Sequence, residues 1–332
     1  MIPFPAPPRK PILVIGGYGY RNAGDEAILA GLLRLLGRDR VTVVSRSPAE
    51  TAARHSVETV SIRGALSALR GHRGVVIGGG GLFGRDMGLL GRLLPLFGLF
   101  ASAIGREVAL VGIGIDGDVS APSARLTRAV ARRAMTVVVR DRESAELLAS
   151  HEIRAQLQPD LSALVPSAGR REGLKALRAS GFDPGRRPVV GLCLTAVDAT
   201  LVEPVVAAVL GAVDALPEVD FCLIPMSRHP FVAAHNDELL ARRLVAVRPR
   251  LRILEGGDDP ARLLGVFEAL SGAVCMRYHS LLFAERARIP IVPIAYAEKC
   301  RHWLADHDLQ PVEPTGASLV DGLRSALMER TA

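Results

Sequence analysis

The sequence predicts an α/β protein built from two Rossmann-like domains, each with a parallel sheet, facing across a cleft. Three observations predict it. Short β-rich runs alternate with helical patterns from end to end. Those runs are continuously apolar, as strands are when helices cover both faces of a parallel sheet. A polar stretch rich in Gly and Pro, "PSAGRREGLKALRASGFDPGRRP", interrupts the alternation near the middle and reads as a linker with one short helix. A chain of 332 residues also exceeds what one ordinary core supports. The expected division is an N-terminal domain over 1–165, a linker over 166–187 and a C-terminal domain over 188–332.

In the first half the expected strands are "ILVIG" (12–16), "VTVVS" (41–45), "VETVS" (57–61), "GVVIG" (74–78), "EVALVGIG" (107–114) and "TVVVR" (136–140). Helical stretches such as "DEAILAGLLRLLG" and "APSARLTRAVARRA" separate most of them. In the second half the strands are "VVGLCLT" (189–195), "DFCLIPM" (220–226), "LRILEG" (251–256), "GAVCMR" (272–277) and "IPIVPIA" (289–295). Ligands of such sheets bind at the C-terminal ends of the strands, and the chemically interesting residues fall there.

Composition narrows the class. Apolar residues make up 49% and charged residues 23%, which is globular and not disordered. The net charge of +7 suits an anionic ligand or an anionic membrane surface, although Arg far outnumbers Lys and GC-rich coding also produces that bias. Aromatic residues are only 4% and the positive charge is dispersed, which argues against nucleic-acid binding. The four cysteines, Cys193, Cys222, Cys275 and Cys300, form no CxxC pair. That spacing argues against a zinc site or a disulfide framework and fits a reducing cytoplasm. The Pro-rich start, "MIPFPAPPRKP", lacks the apolar core of a signal peptide. Between Met87 and Gly105 the apolar stretch is broken by Arg92 and Pro95. It falls short of the ~18–20 residues that span a bilayer, and the expectation is a buried helix, with an interfacial helix touching lipid as the alternative.

Four segments carry candidate chemistry. The loop "VIGGYGYRNAGDEAIL" has the form of a phosphate cradle, with Gly16, Gly17 and Gly19 turning tightly and Asn22 placed to cap the helix. Its helix nevertheless opens with Asp25 and Glu26 and has no Lys-Ser/Thr pair, so neither a dinucleotide fingerprint nor a P-loop fits. Dipole compensation explains one acid. A ligand hydroxyl held by Asp25 would also explain the glycines. The run "GGGGLF", with Gly79 and Gly80, permits close backbone approach after its strand, and "GIGIDGD" repeats that design at 112–118. In "VVVRDRES", Arg140 ends a strand and is suited to a carboxylate or phosphate, or to a surface ion pair with Asp141 or Glu143. Finally, "CMRYHSLLFAERARIPIVPIAYAEKC" puts Arg277 and His279 at a strand-to-helix junction, and Lys299 at the next strand end. An imidazole between two cations is suited to act as a general acid beside an anion. His229 and His235 read as loop residues, and no metal site is expected.

Taken together, "GYGYRNAGDEAIL", "GGGGLF", "GIGIDGD", "RDRESAELL", the Pro159–Asp160 pair, "LIPM" and "MRYHSLLFAERARIPIVPIAYAEK" resemble the polysaccharide pyruvyl transferase family, in the expected order over nearly the whole chain. The resemblance implies a GT-B-like architecture, with the N-terminal domain on the acceptor side and the C-terminal domain on the anionic donor side. It implies transfer of the enolpyruvyl unit of phosphoenolpyruvate, a co-substrate with no further cofactor, to a sugar of an envelope polysaccharide or its precursor, forming a ketal. Carried over by position, His279 would protonate the methylene carbon. Arg140, Arg277 and Lys299 would hold the carboxylate and phosphate, and Asp25, with Glu26, would orient or deprotonate the acceptor hydroxyl. Gly17, Asn22, Gly79 and Gly80 would line the substrate site. A lipid-linked acceptor would bring peripheral contact with the inner face of the membrane. The match departs at "GLCLTAVDA", where Thr195 and Asp198 stand in a segment in which relatives often carry an Arg. Two other readings stay open: a GT-B glycosyltransferase or nucleotide-sugar enzyme, which would bind a nucleoside diphosphate, and a non-catalytic member of a glycan-assembly system. Acceptor sugar and oligomeric state are not legible.

Overall fold

The structure is a computed structural model and describes residues 7–83, 90–115, 121–257 and 259–329. The chain forms two units, Met1–Tyr20 with Gly24–Val165 and Arg21–Ala23 with Pro166–Ala332.

In the first unit the elements run β1 (Ile12–Ile15), α1 (Ala23–Leu36), β2 (Val41–Ser45), α2 (Pro48–His55), β3 (Glu58–Ser61), α3 (Ala65–Ala68), β4 (Gly74–Phe83), α4 (Leu90–Ala103), β5 (Glu107–Ile115), α5 (Ala121–Arg133), β6 (Thr136–Val139), α6 (Arg142–Ala149) and β7 (Gln156–Leu157). The seven strands form one sheet in the order β3-β2-β1-β4-β5-β6-β7, with each neighbouring pair parallel. Side chains alternate across the pleat. Ile12, Val14, Val76 and Val111 join one buried cluster with α1, while Leu13, Ile15, Ile77 and Leu110 join the other. Both faces are therefore buried, which is why the strands read as unbroken apolar runs.

In the second unit the elements are α7 (Arg170–Ala179), β8 (Val189–Cys193), α8 (Ala199–Ala215), β9 (Asp220–Leu223), α9 (Asp237–Val247), β10 (Arg252–Ile253), α10 (Pro260–Ala269), β11 (Gly272–Cys275), α11 (Tyr278–Ala287), β12 (Ile291–Pro293), α12 (Glu298–Asp306) and α13 (Gly316–Glu329). Its sheet has the order β10-β9-β8-β11-β12, again parallel throughout. Cys193 and Cys275 sit side by side in register on β8 and β11, and all four cysteines are buried free thiols.

The structure departs from the sequence reading in four places. The segment expected to link the domains belongs wholly to the second unit, because α7 packs on α10 and adds to that core. The glycine run does not follow the fourth strand as a turn. It lies inside β4, with Gly79 at φ +76° and Gly80 at φ +88°, and the register with β5 shifts between Gly80 and Phe83. Glycine alone takes up such a conformation without strain, so the strand bends and continues. The short edge strand β7 carries too few residues to show a pattern. The stretch from Met87 begins outside the described residues, and from Leu90 it forms α4, which is buried along one face only. Leu94 and Ala101 pack into the core, whereas Leu93, Leu96 and Phe100 are exposed. A helix laid on a sheet has one inner face, and an all-round apolar sequence leaves the other unburied. Among the described residues, no helix is long and apolar enough to cross a membrane.

Candidate functional site

The opening loop of the first unit explains its own carboxylates. Gly19 donates its backbone N–H to Glu26 Oε1 at 3.2 Å, so the anion this loop grips is a side chain of the chain itself. Glu26 is 1% exposed and lies 2.6 Å from His55 Nε2 and 3.3 Å from Arg54 Nη1. Burial alone would raise its pKa. The His55 hydrogen bond and charge, then Arg54 and the Gly19 N–H, outweigh burial and hold it below the ordinary carboxylate value. Tyr18 ties the loop to the next strand by donating its hydroxyl to Gly78 O at 2.6 Å, and Arg46 N donates to Tyr18 O at 3.0 Å. Burial, reinforced by Asp25 and Glu26, pushes the Tyr18 phenol well above its usual value, so it stays a neutral donor. Gly17 is buried within this pinned loop. The expectation that Glu26 works on a substrate hydroxyl gives way here, since its carboxylate is buried and held by three partners.

Asp25 is placed differently. It is half-buried in the first turn of α1, and its Oδ1 stands 3.2 Å from the position a Cβ would occupy on Gly80. Next to it, a side chain on Gly79 would run into Ile28. Arg140 lies on the other side of the same glycine run. Its Nη2 is 3.7 Å from where a Cβ of Gly81 would be, and its Nε fills the space beside Gly114. The guanidinium is nearly buried, and Nη1 donates to Asp160 Oδ2 at 3.0 Å. Its Nε also lies 3.8 Å from Asp141 Oδ2, farther than Nη1 lies from Asp160, and Asp141 caps α6 through Ser144 N. Asp160 also accepts from Ser162 N at 2.9 Å, which fixes the carboxylate that orients Arg140. The part of "GIGIDGD" from Asp116 to Asp118 lies outside the described residues.

Asp25, Gly79, Gly80 and Arg140 thus gather around the glycine run of β4, beside the helix that follows β1 and the ends of β5 and β6, the edge where α/β sheets place ligands. Asp160 completes the group. The sequence carried it within the Pro159–Asp160 motif but left it without a task.

In the second unit the junction of β11 and α11 carries Arg277 and His279. Arg277 immediately precedes α11, and His279 is half-buried in its first turn, edge-on to Tyr278 at 5.5 Å between ring centroids. Arg277 makes a two-pronged contact with Asp237, Nη2 to Oδ1 at 2.6 Å and Nε to Oδ2 at 3.1 Å. Asp237 Oδ2 also accepts from Ser227 N at 3.0 Å, and Thr195 hydrogen-bonds the same carboxylate. Burial opposes the Arg277 charge, but Asp237 outweighs it, with Tyr296 adding a hydrogen bond, and the guanidinium is held above its ordinary value. Burial raises the Asp237 carboxyl, with Arg277 the chief opposing influence. The paired geometry makes this a buried ion pair, whose energetic worth is set by desolvation against attraction.

Four residues singled out in the sequence shift role or place here. Lys299 is not at a strand end. It is half-buried in the first turn of α12, which begins at Glu298. Its charge and that of Arg277 both act on the Cys300 thiol, which burial nevertheless pushes up to about 11. Thr195 supports Asp237, and Asp198 caps α8 through Thr200 N, so the departing segment is structural around the ion pair. Asn22 belongs with Arg21–Ala23 in this unit, where it forms an antiparallel bridge with Ser227. His229 and His235 meet edge-on at 5.9 Å, and among the described residues no three His, Cys, Asp or Glu side chains cluster as metal ligands do.

Asp237 went unseen in the sequence because its partner is forty residues away and an acid at a helix start reads as dipole compensation. It opens α9, fourteen residues beyond the end of β9.

Removing the Glu26 charge is expected to be costly. Glu26→Gln should destabilise the first unit by about 3–5 kcal/mol, because the Arg54 guanidinium would lose its buried counter-ion while His55 and the Gly19 N–H lose a charged partner. The lowered pKa means that this stability is present above the unfolded value of about 4.3 and is lost as pH falls through the folded value. Urea unfolding of both proteins at neutral and acid pH checks this, and the gap between them should narrow as pH falls below the unfolded value of about 4.3.

Two parallel sheets with candidate residues at their C-terminal strand ends define an α/β protein of the GT-B type, and solved structures agree. Over 96% of this chain and 90% of the other, it is similar to Anabaena Alr3699/HepE in complex with UDP-glucose, with a TM-score of 0.64 at 14% identity. It is similar to S. aureus MnaA in its UDP co-structure (TM-score 0.65, 11% identity, 96% and 87% covered). It is also similar to E. coli ADP-heptose LPS heptosyltransferase II (TM-score 0.55, 15% identity, 98% and 100% covered). At these identities the likeness shows the fold. Among curated proteins nothing matches. The sequence model of the polysaccharide pyruvyl transferase family matches residues 22–298, and the chain belongs to that family.

Proposed function

We propose that this protein transfers the pyruvyl unit of phosphoenolpyruvate to a sugar of an envelope glycan or its precursor, with His279 as general acid. The observation that carries the reading is His279 in the first turn of α11, two residues after a guanidinium fixed by Asp237, within a chain of this family. His279 delivers a proton to the methylene carbon. The adjacent carbon takes on oxocarbenium character and is attacked by one sugar hydroxyl. Phosphate leaves, and a second hydroxyl closes the ketal. One acceptor proton replaces that given by the imidazole, and the other leaves with phosphate. Arg277 and Lys299 of the second unit supply positive charge for the carboxylate and phosphate, and preorganised charges stabilise such a transition state strongly. Asp25 accepts or orients the hydroxyl. Glu26 has no part in the chemistry. The work is done beside the membrane when the acceptor is lipid-linked.

A second reading, a nucleotide-sugar enzyme, is favoured by the UDP complexes of similar fold. Thermal unfolding separates the two. Phosphoenolpyruvate at about a hundred times its Kd should add roughly 2.7 kcal/mol to stability, and UDP should add none. Stabilisation by UDP alone would overturn the proposal in favour of the second reading.

A further inference from the structure

We infer that the outer face of α4, with the arginines of α5 beside it, docks the protein on an anionic membrane surface. Leu93, Leu96, Phe100 and Ile104 are each 44% to 49% exposed. Leu93, Leu96 and Phe100, spaced by three and four, form one stripe on α4, and Ile104 follows in the turn after Ala103. Exposed large apolar side chains scattered singly are ordinary; a run of them along one helix and its exit marks an interaction surface.

Charge identifies the occupant. α4 and α5 pack together, and neither contains an acidic residue. Arg92 on α4 and Arg125 and Arg132 on α5 are exposed. Arg125, Arg128 and Arg132 repeat the spacing of three and four along α5, the helix packed against α4. Arg128 and Arg132 are anchored on His151, at 2.8 Å to its ring and 3.1 Å to its carbonyl. An apolar face rimmed by arginines is how a helix lies in a lipid interface, with side chains among the acyl chains and guanidinium groups at the phosphates. A second copy of this chain fits poorly. A two-fold contact would bring the arginine line close to its own copy with no acid to offset it. This inference does not rest on the pyruvyl transfer reading.

Flotation with vesicles tests it without any activity assay. Wild-type protein should float with phosphatidylcholine vesicles containing phosphatidylglycerol, far less with phosphatidylcholine alone, and less in high salt. Leu96→Gln with Phe100→Gln should lower partitioning roughly a hundredfold. Arg125→Gln with Arg132→Gln should lower it roughly tenfold or more, and only on the anionic vesicles. These side chains are exposed or half-buried, so circular dichroism and Tm should stay at wild-type values. Failure of the wild type to float on anionic vesicles would overturn the inference, as would either pair floating as the wild type does. Sedimentation showing a dimer that the Leu96/Phe100 pair dissociates would reassign the face to a second copy.

Discussion

His279→Gln is expected to lower phosphoenolpyruvate-dependent turnover by about 10²–10⁴, the range that loss of a positioned acid produces, while the Tm stays within a degree or two of wild type. The two readouts diverge because of where the residue sits. His279 is half-buried on the first turn of α11, outside the apolar cluster that β8, β11 and α13 share. Neighbouring Tyr278 and Ser280 are buried, and Ser280 Oγ holds the helix start by bonding the Arg277 carbonyl. The helix therefore keeps its place when the imidazole goes. Steady-state phosphate release and thermal unfolding of the same preparation decide the matter. Equal turnover in the variant would remove His279 from the chemistry, and a collapse of Tm would make it a structural residue.

Asp237→Ala is expected to cost the second unit about 3–5 kcal/mol of stability, because it strands the Arg277 guanidinium in a buried site. The loss reaches further than one ion pair. Ser227 N and Thr195 also lose their acceptor, so the strand ends of β8 and β9 lose what fixes them beneath the β11–α11 junction. Removing both charges should cost less than the sum of the single losses. The double variant Asp237→Ala/Arg277→Met is thus expected to be more stable than Asp237→Ala alone, a coupling that a double-mutant cycle measures. Arg277→Lys should not rescue the site, since an ammonium cannot make the two parallel contacts of a guanidinium. Denaturant unfolding of the four proteins gives the cycle, and additive losses would mean that the pair is not coupled.

The sheets were legible in the sequence for a simple reason: a parallel strand covered on both faces must be apolar throughout, and "ILVI", "VVGLC" and "GAVC" are. Strand ends were less so. In "DFCLIPM" and "IPIVPIA" the apolar run continues past the ladder, because residues such as Ile224, Met226 and Ile294 are buried beyond the last strand pair. Apolar character reports burial and not hydrogen bonding. The glycine run misled in the opposite direction: Gly79 and Gly80 have turn dihedrals and yet remain within β4.

At the site, residues read from position within a strand-to-helix junction, Asp25, Arg140, Arg277 and His279, stand at such junctions. What no local pattern carried were the partners. Asp160 on Arg140, Asp237 on Arg277 and His55 on Glu26 are each separated by twenty residues or more. Glu26 shows the cost of that blindness. Beside Asp25 it looks like a second catalytic acid, and only the fold reveals that His55 and Arg54 consume its charge.

In the proposed reaction His279 sends the carbon skeleton of phosphoenolpyruvate, and not its phosphate, to a sugar. Phosphoenolpyruvate labelled in its carbon chain, incubated with lipid-linked and nucleotide-linked glycans, tests this most directly. The account predicts acid-labile label in one glycan, one phosphate released for each label transferred, and neither with His279→Gln. Phosphate release with no label in any glycan, or transfer of a sugar from a nucleotide donor in its place, would contradict it.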